Sequence, residues 1–558
     1  MGKISGGEAV IQTLRKQGVT HVFGVIGTAM LDVYDALHDA PDITYVGTRH
    51  EQNAVHMADA FARITGRAGV VFAGQPGPGV TNLVSGIAEA RLAFSPLVII
   101  AGDTSTAQVD RGTFQEVDQQ SLLAPVTKRT VTVRSAARIA EYVDEAFLVS
   151  QSGRQGPVVV NIPGDLLAAE VDESTVAVRA RQAGAAPAPS ELARAVEVLR
   201  LARRPLILGG AGIKWANASA AFARFVDVLD VPVAASPGNG DIIANDHPLY
   251  VGQVGPRGNV VATELLRSAD VVLALGTRLS YNTTLFKAEN LAQGVKIIQV
   301  DVEPMAVGRY FPADVAIVSD AGAFLAAVPA SDAVAERESG WVDGARERRR
   351  DLLAARADAV ASHTGALSPA IVYAALAQNL PRDVIVTVDT GTASLHAVDG
   401  MQTYQSPGLL TPLDFGIVGF SYPAGIGAKA AAPERPVVSI IGDGGFSMAM
   451  IELATARESG LPTTTIVINN GCWGAEKAYQ RDFFDGRYTG SDIFNPRFDE
   501  VARAYGCVGV RAETVDELLT AVRAALGSDV PTVIEVTVDP DSITSFRKDS
   551  FPHRKAAS

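Results

Sequence analysis

Short, strand-length runs of apolar residues recur along the chain and alternate with segments of helical periodicity. Most of these runs are nearly continuous Val, Ile and Leu, which is typical of parallel strands buried on both faces. Strands that alternate with helices in this way predict doubly wound α/β domains. The predicted strands are His21–Ile26, Ile43–Gly47, Ala68–Ala73, Pro96–Ala101, Val158–Ile162, Pro205–Leu208, Val231–Ala234, Val271–Leu275, Lys296–Val300, Val315–Val318, Val384–Val388, Val437–Ile441, Ile466–Ile468 and Thr532–Val538.

Length and linkers divide the chain. At 558 residues it is too long for a single hydrophobic core. Residues 169–190 contain a run of Ala, Gly and Pro that predicts a linker, and the charged segment 336–360 predicts a solvated helical connector. We therefore expect three doubly wound parallel-sheet domains and a C-terminal tail that closes over a site. Their predicted bounds are 1–168, 190–335, 366–540 and, for the tail, 541–558.

Composition narrows the class of protein. The chain has 47% hydrophobic and 20% charged residues, which is typical of a globular protein with large buried sheets. A formal charge of −13 argues against nucleic acid or an anionic membrane as a partner. Two cysteines give no disulfide framework, and no apolar signal core or membrane-length apolar run is visible. A cytoplasmic enzyme is the expectation.

The most informative stretch is a Gly-Asp-Gly-Gly turn that directly follows the strand Val437–Ile441. Glycines at a strand end let backbone N–H groups approach a phosphate, although any tight turn could carry them. Twenty-six residues lie between Asp443 of this turn and Asn470, enough for one helix and one strand. Both residues are therefore predicted at one sheet edge, where α/β sheets bind ligands. Their oxygen atoms suit Mg²⁺, so the pattern predicts a diphosphate held through a metal.

In this spacing the chain resembles the thiamine diphosphate-dependent enzymes, whose signature is Gly-Asp-Gly followed by Asn-Asn; Ile426-Gly427, Pro433, Val438 and Ile440 fit the longer pattern. The resemblance implies pyrimidine-binding, central and diphosphate-binding domains, with thiamine diphosphate and Mg²⁺ as cofactors. It also implies a homodimer or a dimer of dimers, because the cofactor then lies across a subunit interface. The implied metal ligands are Asp443, the Asn470 side chain and the carbonyl of Cys472.

Glu51 begins a predicted helix in the context Arg49-His50-Glu51. An acid in the first turn also suits the helix dipole, so capping is the simple structural alternative. The resemblance instead gives Glu51 a hydrogen bond to the pyrimidine ring of the cofactor, and gives Val418 the role of wedging the cofactor into a bent form. Cofactor contacts are implied for Gly27, Pro76, Asn82, Gly391, Thr392, Val418, Gly442, Gly444, Gly445, Trp473 and Gly474.

The turn Gly27-Thr28-Ala29-Met30 lacks a histidine found in some relatives. Proton transfer is therefore expected from the cofactor itself, from Gln115 or from Glu476. The stretch Phe114-Gln115-Glu116 resembles acetohydroxyacid synthases.

Residues Trp473–Lys477, with Gln480, Asp482 and Phe483, resemble sulfoacetaldehyde acetyltransferases, which implies acyl transfer to phosphate. The first three of them also resemble benzaldehyde lyase, and residues 391–404 do not fit the acetyltransferase pattern. The alternatives are a 2-hydroxyacyl-CoA lyase or oxalyl-CoA decarboxylase type of lyase, an acetolactate synthase-like carboligase, and an inactive relative. Retention of Glu51, Asp443 and Asn470 together argues against the last.

Charged residues suggest two further ligands. We predict a small-molecule substrate with an anionic group, which is a phosphate, a sulfonate or a CoA thioester. The cationic residues predicted to bind this group near the site are Lys477, Arg481, Arg547 and Lys548. Arg278, Asp301 and Asp320 follow strands of the central domain, where related enzymes sometimes bind ADP or FAD. Strand-edge charges in a domain without a ligand would look the same.

Overall fold

The computed structural model describes residues 2–180, 183–255, 258–546, 551 and 553–554. Its core is three six-stranded sheets, one in each third of the chain, and every strand pair within them is parallel. Helices follow most strands and cover the sheets. The predicted class, α/β with three doubly wound parallel-sheet domains, is confirmed.

The first unit has eight strands and eight helices. Its strands are β1 (Lys3–Ser5), β2 (His21–Val25), β3 (Thr44–Gly47), β4 (Gly69–Ala73), β5 (Leu97–Asp103), β6 (Arg129–Thr132), β7 (Val158–Pro163) and β8 (Glu170–Asp172). Its helices are α1 (Gly6–Lys16), α2 (Leu31–His38), α3 (Glu51–Thr65), α4 (Pro78–Thr81), α5 (Val84–Leu92), α6 (Gln119–Leu123), α7 (Ile139–Gln151) and α8 (Gly164–Ala168). The sheet order is β3-β2-β4-β5-β7-β6, and β1 pairs with β8 in a separate antiparallel ribbon.

The second unit is a sheet of order β11-β10-β9-β12-β13-β14. Its strands are β9 (Pro205–Gly209), β10 (Val233–Ala235), β11 (Tyr250–Gln253), β12 (Val271–Leu275), β13 (Lys296–Asp301) and β14 (Val315–Val318). Its helices are α9 (Pro189–Leu201), α10 (Ala211–Trp215), α11 (Ser219–Leu229), α12 (Val260–Leu266), α13 (Tyr281–Thr284) and α14 (Ala321–Ala327). The charged connector forms helix α15 (Trp341–Ala361), as its sequence predicts.

The third unit has the order β16-β15-β17-β18-β20-β19. Its strands are β15 (Ile385–Val388), β16 (Leu409–Leu410), β17 (Val437–Gly442), β18 (Thr464–Asn469), β19 (Val508–Ala512) and β20 (Thr532–Thr537). Its helices are α16 (Pro369–Asn379), α17 (Thr392–Gly400), α18 (Ser421–Ala431), α19 (Asp443–Ala449), α20 (Leu453–Glu458), α21 (Gly474–Phe483), α22 (Phe498–Ala504) and α23 (Val515–Leu526).

In both outer units the strands, counted from the first strand of the six-stranded sheet, have the spatial order 2-1-3-4-6-5. The first and third units are thus the same doubly wound topology used twice. The direction of winding reverses between the first and third of these strands, which leaves a crevice at their carboxyl ends. The central sheet has the order 3-2-1-4-5-6, and its crevice lies between β9 and β12.

The structure corrects several sequence-based boundaries. The segment predicted as a linker from residue 169 begins with β8, which completes the first unit by pairing with β1. Helix α18 starts only at Ser421, because Gly416 and Gly419 before it have left-handed backbone angles. Four strands of the six-stranded sheets have no counterpart among the predicted ones, β6, β11, β16 and β19, and neither do the paired strands β1 and β8.

Helix α18 joins the outer units. Its residues are almost all buried, and it packs between α3 of the first unit and the third sheet. A Cβ atom at Gly427 would overlap the backbone carbonyl oxygen of Met57, so the two helices meet with backbone in contact. No helix in the described part of the chain is both long enough and apolar enough to cross a membrane.

We expect Gly427→Ala to destabilise the protein by about 1–3 kcal/mol, because overpacking forces α3 and α18 apart. Circular dichroism melting measures the loss. Gly344→Ala is the matched helical control: an added Cβ there meets no atom within 4 Å, so it should be neutral or slightly stabilising. Equal melting of both variants and the wild type would contradict the close packing.

Candidate active site

The main cavity lies at the crevice of the third sheet, between the carboxyl ends of β15 and β17. Its volume is about 830 Å³. Predicted site residues lining it are Gly391, Thr392, Val418, Gly442, Asp443, Gly444, Gly445, Asn470, Cys472, Trp473, Gly474 and Glu476. The fold thus brings together the residues that the Gly-Asp-Gly and Asn-Asn motifs supply from two neighbouring strands.

Asp443 is the first residue of α19 and is 3% exposed. Its Oδ1 accepts a hydrogen bond from the Gly444 N–H at 2.9 Å. Its Oδ2 accepts from the Gly471 N–H and from Asn495 Nδ2, each at 2.8 Å. Burial raises the pKa of this carboxyl, and the hydrogen bonds oppose that rise. Its hydrogen-bond donors are neutral, so a bound cation would offset the remaining cost of burying the charge.

Asn470 and Cys472 lie on the turn after β18, which closes through Gly471 at φ 68°. Asn470 Oδ1 accepts from the Cys472 N–H at 3.3 Å, and residue 472 forms a strand-like bridge with Asp492. Burial raises the pKa of the Cys472 thiol to about 11, so its sulfur is a poor metal ligand. Carboxylate, amide and carbonyl oxygens remain, and this donor set fits Mg²⁺.

Glycine is needed beside Asp443 for a steric reason. A Cβ atom at Gly444 would lie 2.5 Å from the indole Cζ3 of Trp473, so this ring packs directly on the turn. At Gly442 and Gly391 an added Cβ would meet nothing within 4 Å, so there is open space on the Cβ side of both residues. The turn is therefore closed on the Trp473 side and open toward the cavity. Such a glycine cradle at a helix start fits a phosphate group.

Asp389 is a site residue that sequence reasoning missed. It follows β15 and is 1% exposed, and burial raises its pKa to about 6. Its Oδ1 accepts from the Thr390 and Gly419 N–H groups at 2.8 and 3.1 Å. Its Oδ2 accepts from the Ser421 N–H at 2.9 Å. The carboxyl thus fixes the loop that carries Val418 against the loop after β15. The sequence shows an Asp at the end of a predicted strand, but it does not show that Gly419 and Ser421 donate to this side chain.

Asn495 was also missed. Besides Asp443, its Nδ2 lies 3.1 Å from Asn469 Oδ1, and Asn469 Nδ2 donates to Glu535 at 2.9 Å. The first Asn of the Asn-Asn pair therefore organises the protein behind the site, while Asn470 lines the cavity. Asn495 belongs to a loop with no motif, so no sequence signal pointed to it.

The residues predicted on the first unit form a separate cluster at the crevice between β2 and β4. Glu51, half-buried at the start of α3, accepts a hydrogen bond from Asn82 Nδ2 at 2.9 Å. The helix cap is made by His50, which accepts from the Gln52 N–H. Glu51 is therefore not used for capping.

Gln115 takes part in the same cluster. Its Oε1 accepts from Gln75 Nε2 at 2.7 Å, and Gln75 Oε1 in turn accepts from the Thr28 N–H at 2.8 Å. Gly27 approaches the backbone of Gly74 so closely that a Cβ would overlap it. Within one chain the structure does not bring this cluster to the third-unit cavity: Gly27, Glu51, Pro76, Asn82 and Gln115 are absent from its described lining.

A second cavity of about 410 Å³ lies at the crevice of the central sheet. Arg278, Asp301 and Asp320 line it together. Asp301 forms an ion pair with Arg154 at 2.9 Å, and Asp320 caps α14 by accepting from the Ala323 N–H at 3.0 Å. Arg278 in turn pairs with Asp414 at 3.0 Å, so all three predicted residues have structural partners as well.

Two of the predicted anion-binding residues, Lys477 and Arg481, lie on helix α21 beside the site. Lys477 forms an ion pair with Asp492 at 2.6 Å, and Arg481 forms one with Asp482 at 2.7 Å. Neither is among the residues that line the cavity. Arg547 and Lys548 fall outside the described residues. The preceding tail packs on α21: Ile543 is buried against Cys472 and Ala478, and Phe546 lines the cavity.

We expect Asp389→Ala to loosen both loops that its carboxyl joins, because three buried N–H groups lose their acceptor at about 1–3 kcal/mol each. Hydrogen exchange followed by mass spectrometry should show faster exchange in residues 390–391 and 416–421. Asp383→Ala, an exposed acid before the same strand, is the control and should leave exchange unchanged. Unaltered exchange in a folded Asp389→Ala variant would refute this role.

Comparisons with known proteins agree with this site. The N-terminal TPP binding domain, the central domain and the C-terminal TPP binding domain of thiamine pyrophosphate enzymes match residues 4–122, 192–328 and 389–536. The chain is 34% identical to an acetolactate synthase large subunit of Parasynechococcus marenigrum, over 96% of this chain and 88% of the relative. It is 33% identical to a sulfoacetaldehyde acetyltransferase of Castellaniella defragrans, over 98% and 95% respectively.

A third relative, a probable acetolactate synthase large subunit of Methanococcus aeolicus, is 30% identical over 97% of this chain and 93% of its own length. The family predicted from the motif spacing is confirmed. This chain belongs to the thiamine pyrophosphate enzymes, a family of enzymes that use thiamine diphosphate.

Proposed function

We propose that this enzyme acts on sulfoacetaldehyde, releases sulfite, and transfers the remaining two-carbon unit to phosphate as an acetyl group. The observation that carries the proposal is the cavity wall formed by the start of α21. Trp473, Gly474 and Glu476 line the cavity there, and the stretch Trp473–Lys477 is where the sequence resembles the acetyltransferases. The similarity to sulfoacetaldehyde acetyltransferases over nearly the whole chain supports the same reaction.

When bound, thiamine diphosphate would supply a nucleophilic carbon and an electron sink, which serve the release of sulfite by cleavage of the carbon–sulfur bond. The open glycines Gly391 and Gly442 would admit its diphosphate, with Thr392, Gly444 and Gly445 beside them. Asp443, the Asn470 side chain and the Cys472 carbonyl would hold Mg²⁺. Val418, held by the Asp389 loop, would support the cofactor from below. Glu476, an exposed acid in the cavity wall, would exchange a proton with the substrate.

Glu51 would hold a proton at the pyrimidine ring, with Asn82 orienting its carboxylate and Gln115 lining the same side. In a single chain this cluster is not part of the third-unit cavity. We therefore propose that the complete site forms between two chains, in a homodimer or dimer of dimers. Exposed apolar side chains flank both halves and would be covered in such an assembly. They are Ile26 and Phe114 at 59% and 84% exposure, and Phe415 and Met448 at 47% and 56%.

The second candidate is an acetolactate synthase-like carboligase. Relatives with that name are 30–34% identical to this chain, close to the 31–33% of the acetyltransferases. The two reactions share the cofactor and its electron-sink chemistry, although the carboligase breaks a carbon–carbon bond of its donor and the acetyltransferase breaks a carbon–sulfur bond. The same residues around Asp443 would therefore serve both. A 2-hydroxyacyl-CoA or oxalyl-CoA lyase remains a third reading of the same machinery.

We also propose that the central cavity binds an adenine nucleotide, ADP or FAD. The central sheet has the strand order 3-2-1-4-5-6, which is that of dinucleotide-binding sheets. The cavity lies at the crevice of this sheet, where such sheets bind nucleotides. Gly210 and Gly212 approach Gly276 closely enough that a Cβ at either would clash, which leaves a narrow glycine turn after β9. A cavity of about 410 Å³ lies near the lower end of the usual range for ligand pockets, which favours ADP.

We expect the purified enzyme to convert sulfoacetaldehyde and phosphate into acetyl phosphate and sulfite in the presence of thiamine diphosphate and Mg²⁺. Parallel assays with pyruvate, and with 2-hydroxyacyl-CoA and oxalyl-CoA, measure acetolactate and lyase products. If kcat/KM for pyruvate exceeds kcat/KM for sulfoacetaldehyde, the proposed activity would be a carboligase and not an acetyltransferase. Turnover of the thioesters alone would favour the lyase.

If each active site takes residues from two subunits, two inactive variants with changes in different halves of the site should complement each other. Glu51→Gln should lower turnover by about 10²-fold or more through loss of proton transfer. Asp443→Ala should abolish cofactor retention without unfolding the protein. Mixing the two inactive variants under subunit exchange should restore part of the activity, because one kind of mixed site carries both wild-type residues. Gly344→Ala mixed with either variant is the control. A fully active monomer in sedimentation would contradict the shared site.

A further inference from the structure

The charge of the main cavity is unbalanced. Among the described residues that line it, four side chains are acidic and one, Arg278, is cationic. Two of the acids, Asp389 and Asp443, already accept hydrogen bonds from backbone N–H groups. An anionic substrate would meet repulsion from the acids, so the cation in this wall is the group that can offset it.

Arg278 is held rigidly at the junction of the three units. It lies three residues beyond β12, and its Nη2 donates to Asp414 of the third unit at 3.0 Å. Its guanidinium carbon lies 4.6 Å from the ring centroid of Phe94, which belongs to the first unit. An aromatic face and a carboxylate together fix the plane of the guanidinium. The Arg278 side chain remains 23% exposed, so a ligand can still reach it.

Arg278 is better placed than the cations that the sequence suggested. The ammonium of Lys477 and the guanidinium of Arg481 each pair with a neighbouring aspartate, and neither residue lines the cavity. Arg278 lines both the main cavity and the central cavity, together with Ser280, Asn282 and Asp414. Arg278 can therefore contact a ligand in either cavity, and binding measurements distinguish the two.

We propose that Arg278 is a specificity-determining residue that binds the anionic group of the substrate, a sulfonate, phosphate or carboxylate. This inference rests on the proposed function, because it concerns the substrate of the same cavity. Asp414 occupies Nη2 of the planar fork, and the remaining N–H groups bind the anion, in two-point contact where the geometry allows it. The residue then selects charged over neutral substrates of the same size.

The test is binding of ethanesulfonate to the full-length holoenzyme, with ethyl methyl sulfone as an uncharged probe of similar shape. Isothermal titration should show that the wild type prefers ethanesulfonate. Arg278→Gln should lower the affinity of the enzyme for ethanesulfonate at least tenfold. Arg278→Lys should restore part of that affinity, because lysine carries the positive charge but lacks the planar guanidinium that makes two-point contacts. Affinity for the sulfone and for thiamine diphosphate should not change.

Arg382→Gln is the matched control. Arg382 also pairs with an aspartate, Asp246, at 2.7 Å and stacks on a ring, that of Tyr404, but it lines neither cavity. Its loss should leave ethanesulfonate binding unchanged. Asp414→Asn is a second, independent variant: it removes the carboxylate that competes for Arg278, and should raise ethanesulfonate affinity several-fold.

Three outcomes would overturn the inference. The first is wild-type affinity for ethanesulfonate in Arg278→Gln. The second is a loss of ADP or FAD affinity in that variant with ethanesulfonate binding unchanged, which would assign Arg278 to the central cavity. The third is no binding of ethanesulfonate, phosphate or pyruvate by the wild type. If sulfoacetaldehyde is not turned over but Arg278-dependent anion binding is found, the proposed function fails and the role of Arg278 stands.

Discussion

The buried carboxylate of Asp443 is the constraint on which the site depends. A charge that is 3% exposed must be compensated, and here two backbone N–H groups and Asn495 surround it. That requirement fixes the turn after β18, because the Gly471 N–H must point at the carboxylate. It also orders the loop of Asn495 behind the site. The same geometry leaves the oxygen atoms that we propose as Mg²⁺ ligands beside the glycine turn, so the contacts that fold this loop would also form the cofactor site.

Repetition of one topology explains why the molecule has two crevices lined by polar residues. The outer units share the order 2-1-3-4-6-5, and each places polar residues at the crevice where its winding reverses. One crevice carries Asp443 and the glycine cradle, and the other carries Glu51, Asn82 and Gln115. Helix α18 packs backbone to backbone on α3, which fixes the units relative to each other with these crevices apart. A second chain is the simplest way to bring complementary crevices together.

The central unit has a different topology, and its residues line both cavities. Its crevice opens between β9 and β12, and the residue that follows β12 by three positions, Arg278, reaches both cavities. Phe94 contacts both Arg278 and Arg154, whose guanidinium carbons lie 4.6 and 4.8 Å from its ring centroid. Each arginine also pairs with an aspartate. These contacts link residues of all three units and hold Arg278 at the cavity.

The sequence by itself determined the parallel sheets and the family. Buried parallel strands are continuous apolar runs, and the motif residues Asp443 and Asn470 directly follow such strands, so both signals are local. Only the tertiary structure decided the rest. The strands β6 and β19 lie at sheet edges and carry exposed positions, so their apolar signal is weak. The partners of Asp389, the place of Asn495 and the position of Arg278 depend on contacts between residues far apart in the chain. Local patterns carry no information about such contacts, because packing between units sets them.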